Sequence, residues 1–146
     1  MAYSIDSISY HLGTIFVFSE MVAFDVKKMA FSLPFRPQEH GRLAPGARRV
    51  AREQGVRVRL EKKILTTDLF PEGFTKRKWV FILYKDPRVL RSYLRLKSKK
   101  ESLLKKDQYR GKARIAIAVE LGKLLNYKMG TIHRRLRERK GEQGKD

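Results

Sequence analysis

The side chains in this chain with the clearest chemical potential are cationic. From Lys128 to Arg137 the residues read KMGTIHRRLR, so Lys128, Thr131, His133, Arg134, Arg135 and Arg137 fall within three helical turns. Guanidinium groups pair in bidentate fashion with guanine edges and with phosphate, and lysine and threonine near a helix start suit contacts to a phosphate backbone. These six residues compose a candidate nucleic-acid-binding set. Arg57 and Arg59 alternate with Val56, Val58 and Leu60, which adds a cationic row on one face of a predicted strand. Carboxylates offer a second chemistry. A magnesium-dependent nuclease uses an acidic residue with a Glu-x-Lys pair, and Asp25, Glu61 and Lys63 have the types and spacing for those roles. Among 34 basic residues such spacings arise by chance, so catalysis is the alternative and binding the leading expectation. His11, His40 and His133 stand at no metal-ligand spacing, and no Gly-rich phosphate loop or Gly-x-Ser-x-Gly elbow occurs. No cofactor or metal is expected.

Composition sharpens the choice of partner. The 146 residues hold 34 Lys and Arg against 15 Asp and Glu, a net charge of +19. Residues 1–40 are net −1, whereas residues 85–146 are net +13. Solubility of a small domain needs a magnitude of only about 2 to 8, so a polyanionic partner meeting the C-terminal half is expected. The chain has no cysteine, which excludes disulfides and thiolate zinc sites and favours an intracellular, cytoplasmic setting. The longest apolar stretch, residues 15–24, is interrupted by Ser19 and Glu20 and is too short to cross a membrane. Met1 to Tyr10 carries only Asp6 as a charge, unlike a secretory signal.

The elements that must position these side chains follow from periodicity. Gly13 to Val26 mixes aromatic and β-branched residues and predicts one long strand or two short ones. Ser32 to Arg42, with two prolines and a glycine, predicts a loop. Ala44 to Gln54 predicts a short helix with Pro45 in its first turn and Gly55 as its stop. Val56 to Leu65 alternates as a strand, and Lys78 to Tyr84 (KWVFILY) predicts the central strand of a sheet. Asp86 and Pro87 predict an abrupt helix start, with that helix running to about Lys105. Further helices are expected at about 112–125 and 131–140, with residues 141–146 as a disordered tail. The fold class expected is α+β: a small β-rich part over residues 1–85 containing one helix, then a basic three-helix unit over 86–140.

The segment Leu121 to Leu136 (LGKLLNYKMGTIHRRL) resembles the helix-turn-helix family of DNA-binding proteins. Gly122 stands where the family usually has alanine, and Leu125 is the apolar residue that ends the first helix. Asn126 holds the turn position usually occupied by glycine and tolerates the left-handed backbone needed there. Tyr127 takes the apolar position after the turn. Thr131 is placed to cap the second helix, with Ile132 and Leu136 pinning it to the core. The resemblance implies duplex DNA, rather than RNA, read in the major groove, as in a small regulator or mobile-element protein. It also implies a homodimer matching two half-sites, for which the near-neutral apolar N-terminal strand is the candidate contact.

Two further arrangements compete with this reading. Tyr10, Phe16, Phe18, Trp79, Phe81 and Tyr84 could stack single-stranded DNA or RNA if exposed on a basic sheet beside Arg57 and Arg59. The aromatic-rich run WVFILY has no polar face, which favours burial. The helix from Pro87 to Lys105 has the amphipathic pattern of a membrane-surface helix, but packing on a sheet explains its apolar stripe as well.

Overall fold

Val80–Tyr84, the most apolar short run in the chain, is strand β3 and lies between its two partners. β1 (Met29–Phe31) pairs with it antiparallel through Met29 and Tyr84, and β2 (Arg57–Glu61) pairs antiparallel on the other side, with Arg57 opposite Tyr84 and Glu61 opposite Val80. Val80 to Leu83 are all buried, so both faces of β3 are covered, as an apolar run without alternation requires. A computed structural model describes residues 5–71 and 73–143. They form an α+β fold of five helices, α1 (Ser7–Ala23), α2 (His40–Glu53), α3 (Pro87–Lys105), α4 (Gly111–Leu124) and α5 (Met129–Gln143), with this three-stranded sheet.

The described residues divide into two compact units, one from residues 1–64 with 75–86, the other from residues 65–74 with the chain from 87 onward. In the first, α1 and α2 pack together against one face of the sheet, burying Ile15, Val22, Leu43, Ala47 and Ala51 with Ala30, Phe81 and Leu83. At Gly46 a β-carbon would come within 2.8 Å of the Leu12 side chain, so glycine is what lets these two helices approach. In the second unit, α4 packs against both α3 and α5.

Residues 13–26, predicted as strand, lie mostly in helix α1. Its start is set by Asp6, whose carboxylate accepts from the backbone N–H groups of Ile8 (3.3 Å) and Ser9 (3.4 Å) and from the Ser9 hydroxyl (2.6 Å). These bonds, the Ser9 hydroxyl's foremost, hold the Asp6 carboxyl below its ordinary pKa. Ile8, Leu12, Ile15, Ser19 and Val22 then recur at helical spacing on the packed side, and burial of that stripe outweighs the local strand preference of its aromatic and β-branched residues. The predicted loop at 32–42 is also partly ordered. Phe35 bridges to Trp79, a 3-10 turn spans Pro37–Glu39, and α2 begins at His40 rather than 44. Pro45 therefore sits inside that helix, on its exposed side. Residues 141–143, expected in a disordered tail, continue α5; residues 144–146 lie outside the described set.

Helices α1 to α4 share one C-terminal device. Each is followed by a residue with positive φ, respectively Asp25 (60°), Gly55 (73°), Asp107 (53°) and Asn126 (61°). At each, paired backbone bonds close the end, as when Asn126 N–H donates to the Lys123 carbonyl (3.1 Å) and Tyr127 N–H to that of Gly122 (2.9 Å). No described helix is long and apolar enough to cross a membrane.

Ser19 is fully buried in α1, and its hydroxyl has no hydrogen-bond partner among the described residues. Because an unpaired buried hydroxyl costs more than the methyl that would replace it, Ser19→Ala is expected to raise stability by about 1 kcal/mol. Urea unfolding with an unchanged m-value is the check, and a lower midpoint would show the hydroxyl to be used.

Candidate nucleic-acid interface

The six cationic and polar residues around α5 depend on how that helix is anchored. Ile132 is the one fully buried side chain of α5 among the described residues. It rests on Gly122 of α4, where a β-carbon would lie 2.6 Å from Ile132 Cδ1, 2.7 Å from Cγ1 and 3.4 Å from Leu69 Cδ1. The two helices can meet this closely only because residue 122 has no side chain. Between them, Leu125 to Lys128 form the connection, with Asn126 in the left-handed conformation that reverses the chain.

Anchoring at Ile132 fixes the faces of α5. Ile132, Arg135, Leu136 and Arg139 lie on the inner side, while Gly130, His133, Arg134 and Arg137 recur at the same spacing on the outer side and are exposed. Lys128 is exposed just before the helix, and its carbonyl accepts the Ile132 N–H at 3.0 Å. The helix therefore starts at Met129, and Thr131, expected as its cap, stands half-buried within the first turn.

Arg135 has a different role from the other five. Its guanidinium lies over the rings of Tyr127 (5.2 Å) and Phe70 (5.6 Å), and Nη1 donates to the Leu69 carbonyl at 3.4 Å. It is half-buried and braces α5 against residues 65–74. That strap touches all three helices of its unit. Leu65 N–H donates to the Tyr93 hydroxyl of α3 (3.0 Å), and Lys100 Nζ donates to the Thr66 carbonyl (2.7 Å). Arg114 of α4 clasps the Asp68 carboxylate through Nε (2.7 Å) and Nη2 (2.6 Å). This fork holds the Asp68 carboxyl below its ordinary pKa, with the charges of Arg139 and Lys100 adding to the effect. Tyr109, over which Lys100 and Arg114 lie at 4.9 and 5.4 Å, has its phenol pushed up, chiefly by burial. Sequence reasoning assigned no role to the strap, whose only signal is one aspartate and two phenylalanines among turn residues.

The second unit carries 19 basic and 8 acidic residues, a net of +11, against +8 for the first. Arg88, Arg91 and Arg95 share the exposed side of α3, a row that the stripe of buried Leu90, Tyr93 and Leu96 turns outward. Arg57 and Arg59 are exposed on β2, in the other unit.

The nuclease residues are not brought together. Asp25 closes the end of α1 and pairs with Lys85 (2.7 Å), beyond the Tyr84 end of β3. Glu61 pairs in register with Val80 at the opposite end, four residues or about 13 Å of strand away. Glu61 is buried and accepts the Lys63 N–H at 3.2 Å, tying the bend after β2, with Lys63 itself exposed. No group of three or more potential metal ligands occurs among the described residues. The aromatic residues form no stacking platform on the sheet either. Phe81 is core, Trp79 is half-buried beneath Lys62 (4.8 Å), Tyr84 is half-buried, and Tyr10, Phe16 and Phe18 belong to α1. The chain matches no protein-family model, no curated protein and no solved structure.

Two substitutions test this geometry. Gly122→Ala gains up to about 1 kcal/mol of helix propensity, but its methyl overlaps a fully buried Ile132, and overpacking of that kind costs about 1–3 kcal/mol. A net fall in thermal midpoint is expected in melting experiments. Asp68→Asn is expected to cost about 1–3 kcal/mol at neutral pH, because Arg114 loses its charged partner. The folded pKa of Asp68 is depressed below 3.8, so its stabilisation is present above that pH and is lost as pH falls through the folded value. Denaturation at pH 7 and under acid conditions should show the gap between wild type and Asp68→Asn closing in acid.

Proposed function

We propose that this protein binds duplex DNA, with α5 as the helix that enters the major groove. The observation that carries the reading is the outward row of His133, Arg134 and Arg137, held opposite the buried Ile132 after a tight turn at Asn126. An α-helix fits the width of the major groove, and guanidinium groups read guanine there. Lys128 and Thr131 lie at the start of the helix, suited to phosphate contacts, and Gly130 leaves that end of the outer face without a side chain. The basic row on α3 adds charge for the phosphate backbone in a unit of net +11. The resemblance to helix-turn-helix proteins rests on the same residues, with Gly122 allowing the close helix contact and Asn126 forming the turn.

Arg135 acts in this reading as a positioning residue. Its contacts to Leu69, Phe70 and Tyr127 hold α5 in place.

Fluorescence anisotropy with duplex, single-stranded and RNA probes across a salt series tests the proposal. Duplex binding should weaken steeply with salt. Arg134→Ala and Arg137→Ala should each cost about 1–3 kcal/mol without changing the melting temperature, and Lys128→Ala should make the salt slope shallower by about 1. Arg135→Ala should instead lower the melting temperature. Equal affinity of wild type and both arginine variants for duplex overturns the assignment of α5, and magnesium-dependent cutting abolished by Glu61→Ala would identify a nuclease.

A further inference from the structure

We propose that α1 is the contact between two copies of this chain, the two helices crossing at Gly13. The proposed duplex contacts do not use α1, and this inference goes beyond them by moving the dimer contact expected of an N-terminal strand to the face of a helix. Tyr10, Gly13, Val17 and Phe24 recur at helical spacing on the side of α1 away from Ile15, Ser19 and Val22, with Phe16 on the flank. Tyr10 is 54%, Phe16 49%, Val17 46% and Phe24 73% exposed. Beside them an apolar groove of about 350 Å³ is lined by Ser9, Tyr10, Gly13, Thr14, Val17 and Phe18.

Gly13 has no internal reason to be glycine. A β-carbon there would meet no atom within 4 Å, and its φ is not positive. Glycine in a helix interior costs roughly 0.5–1 kcal/mol relative to alanine. That cost is offset when a second backbone must come close, and an open position at the centre of an exposed apolar face is where a partner helix would lie.

Charge selects a second copy as the occupant. The chain carries +19, and α1 is the one described α-helix without lysine or arginine. Two copies meeting through any other helix would oppose cationic surfaces, whereas the outer face of α1 carries only Glu20. A membrane surface is a poorer match, because interfacial helices flank their apolar side with cations. Three half-exposed or more exposed aromatic side chains and Val17 leave on the order of 400 Å² of apolar surface per copy. Doubled by symmetry and widened by a polar rim, this reaches the roughly 1,000 Å² that a specific interface requires.

Sedimentation velocity without nucleic acid, at physiological and at high salt, tests the proposal. Wild type is expected at twice the 17.1 kDa of one chain, associating more tightly at high salt as repulsion between the basic surfaces is screened. Val17→Glu should weaken association at least about tenfold, as should Gly13→Gln, while circular dichroism and the melting temperature of the monomer stay unchanged or rise. A wild type that remains monomeric at high salt overturns the proposal, whether or not it then floats with anionic vesicles. So does a dimer that both variants leave intact. None of these outcomes depends on duplex binding, which is scored separately with the arginine variants.

Discussion

The arrangement of the C-terminal helices depends on a missing side chain. Ile132 is the single fully buried residue of α5 among those described, and it reaches that position only because Gly122 offers bare backbone. A helix as charged as α5 gains little from burying its own surface, so its orientation rests on few contacts. Ile132 supplies the apolar one, and Arg135, lying over Phe70 and Tyr127, supplies the amphipathic one. Together they fix which side chains of α5 face outward.

Two populations stand out among the basic residues of this unit. Lys100, Arg114 and Arg135 turn inward onto the strap at residues 65–74, where Asp68 and backbone carbonyls accept their hydrogen bonds. Arg88, Arg91, Arg95, Arg134 and Arg137 are exposed along α3 and α5. Without the strap, the inward cations would lose these acceptors. Net charge alone does not reveal this division. It overstates the charge left for a partner, since part of it is spent holding the unit together.

Several elements were legible because local chemistry and global packing agree. The apolar run before Tyr84 is the central strand, Pro87 opens α3, and Asn126 forms the turn before α5. Where they disagree, packing decides. Residues 13–23 have strand-like composition yet form a helix, since their apolar side is buried against α2 and the sheet. The signal was present in Asp6 as a cap and in the spacing of Ile8, Leu12, Ile15, Ser19 and Val22, but aromatic and β-branched residues obscured it. Asp25 similarly suggests catalysis by its type and spacing, although its place is the left-handed residue after α1.

The sequence by itself determined the charge, its concentration in the C-terminal half, the absence of thiols, the helix boundaries near Pro87 and Asn126, and the small residue at position 122. These are properties of composition and of short-range backbone preference, which need no distant partner. Tertiary structure decided which side chains have work inside the fold. Arg135 belongs to a brace and Arg134 to the outer face, although they are neighbours of identical type, because successive helical residues point about 100° apart and only one of them meets Phe70 and Tyr127. Asp25 and Glu61 are separated by the length of β3, because antiparallel register sets one at each end. The apolar stretch near the start of the chain is a helix with an open glycine on its exposed face, and that changed the contact expected of it from a strand to a helix face.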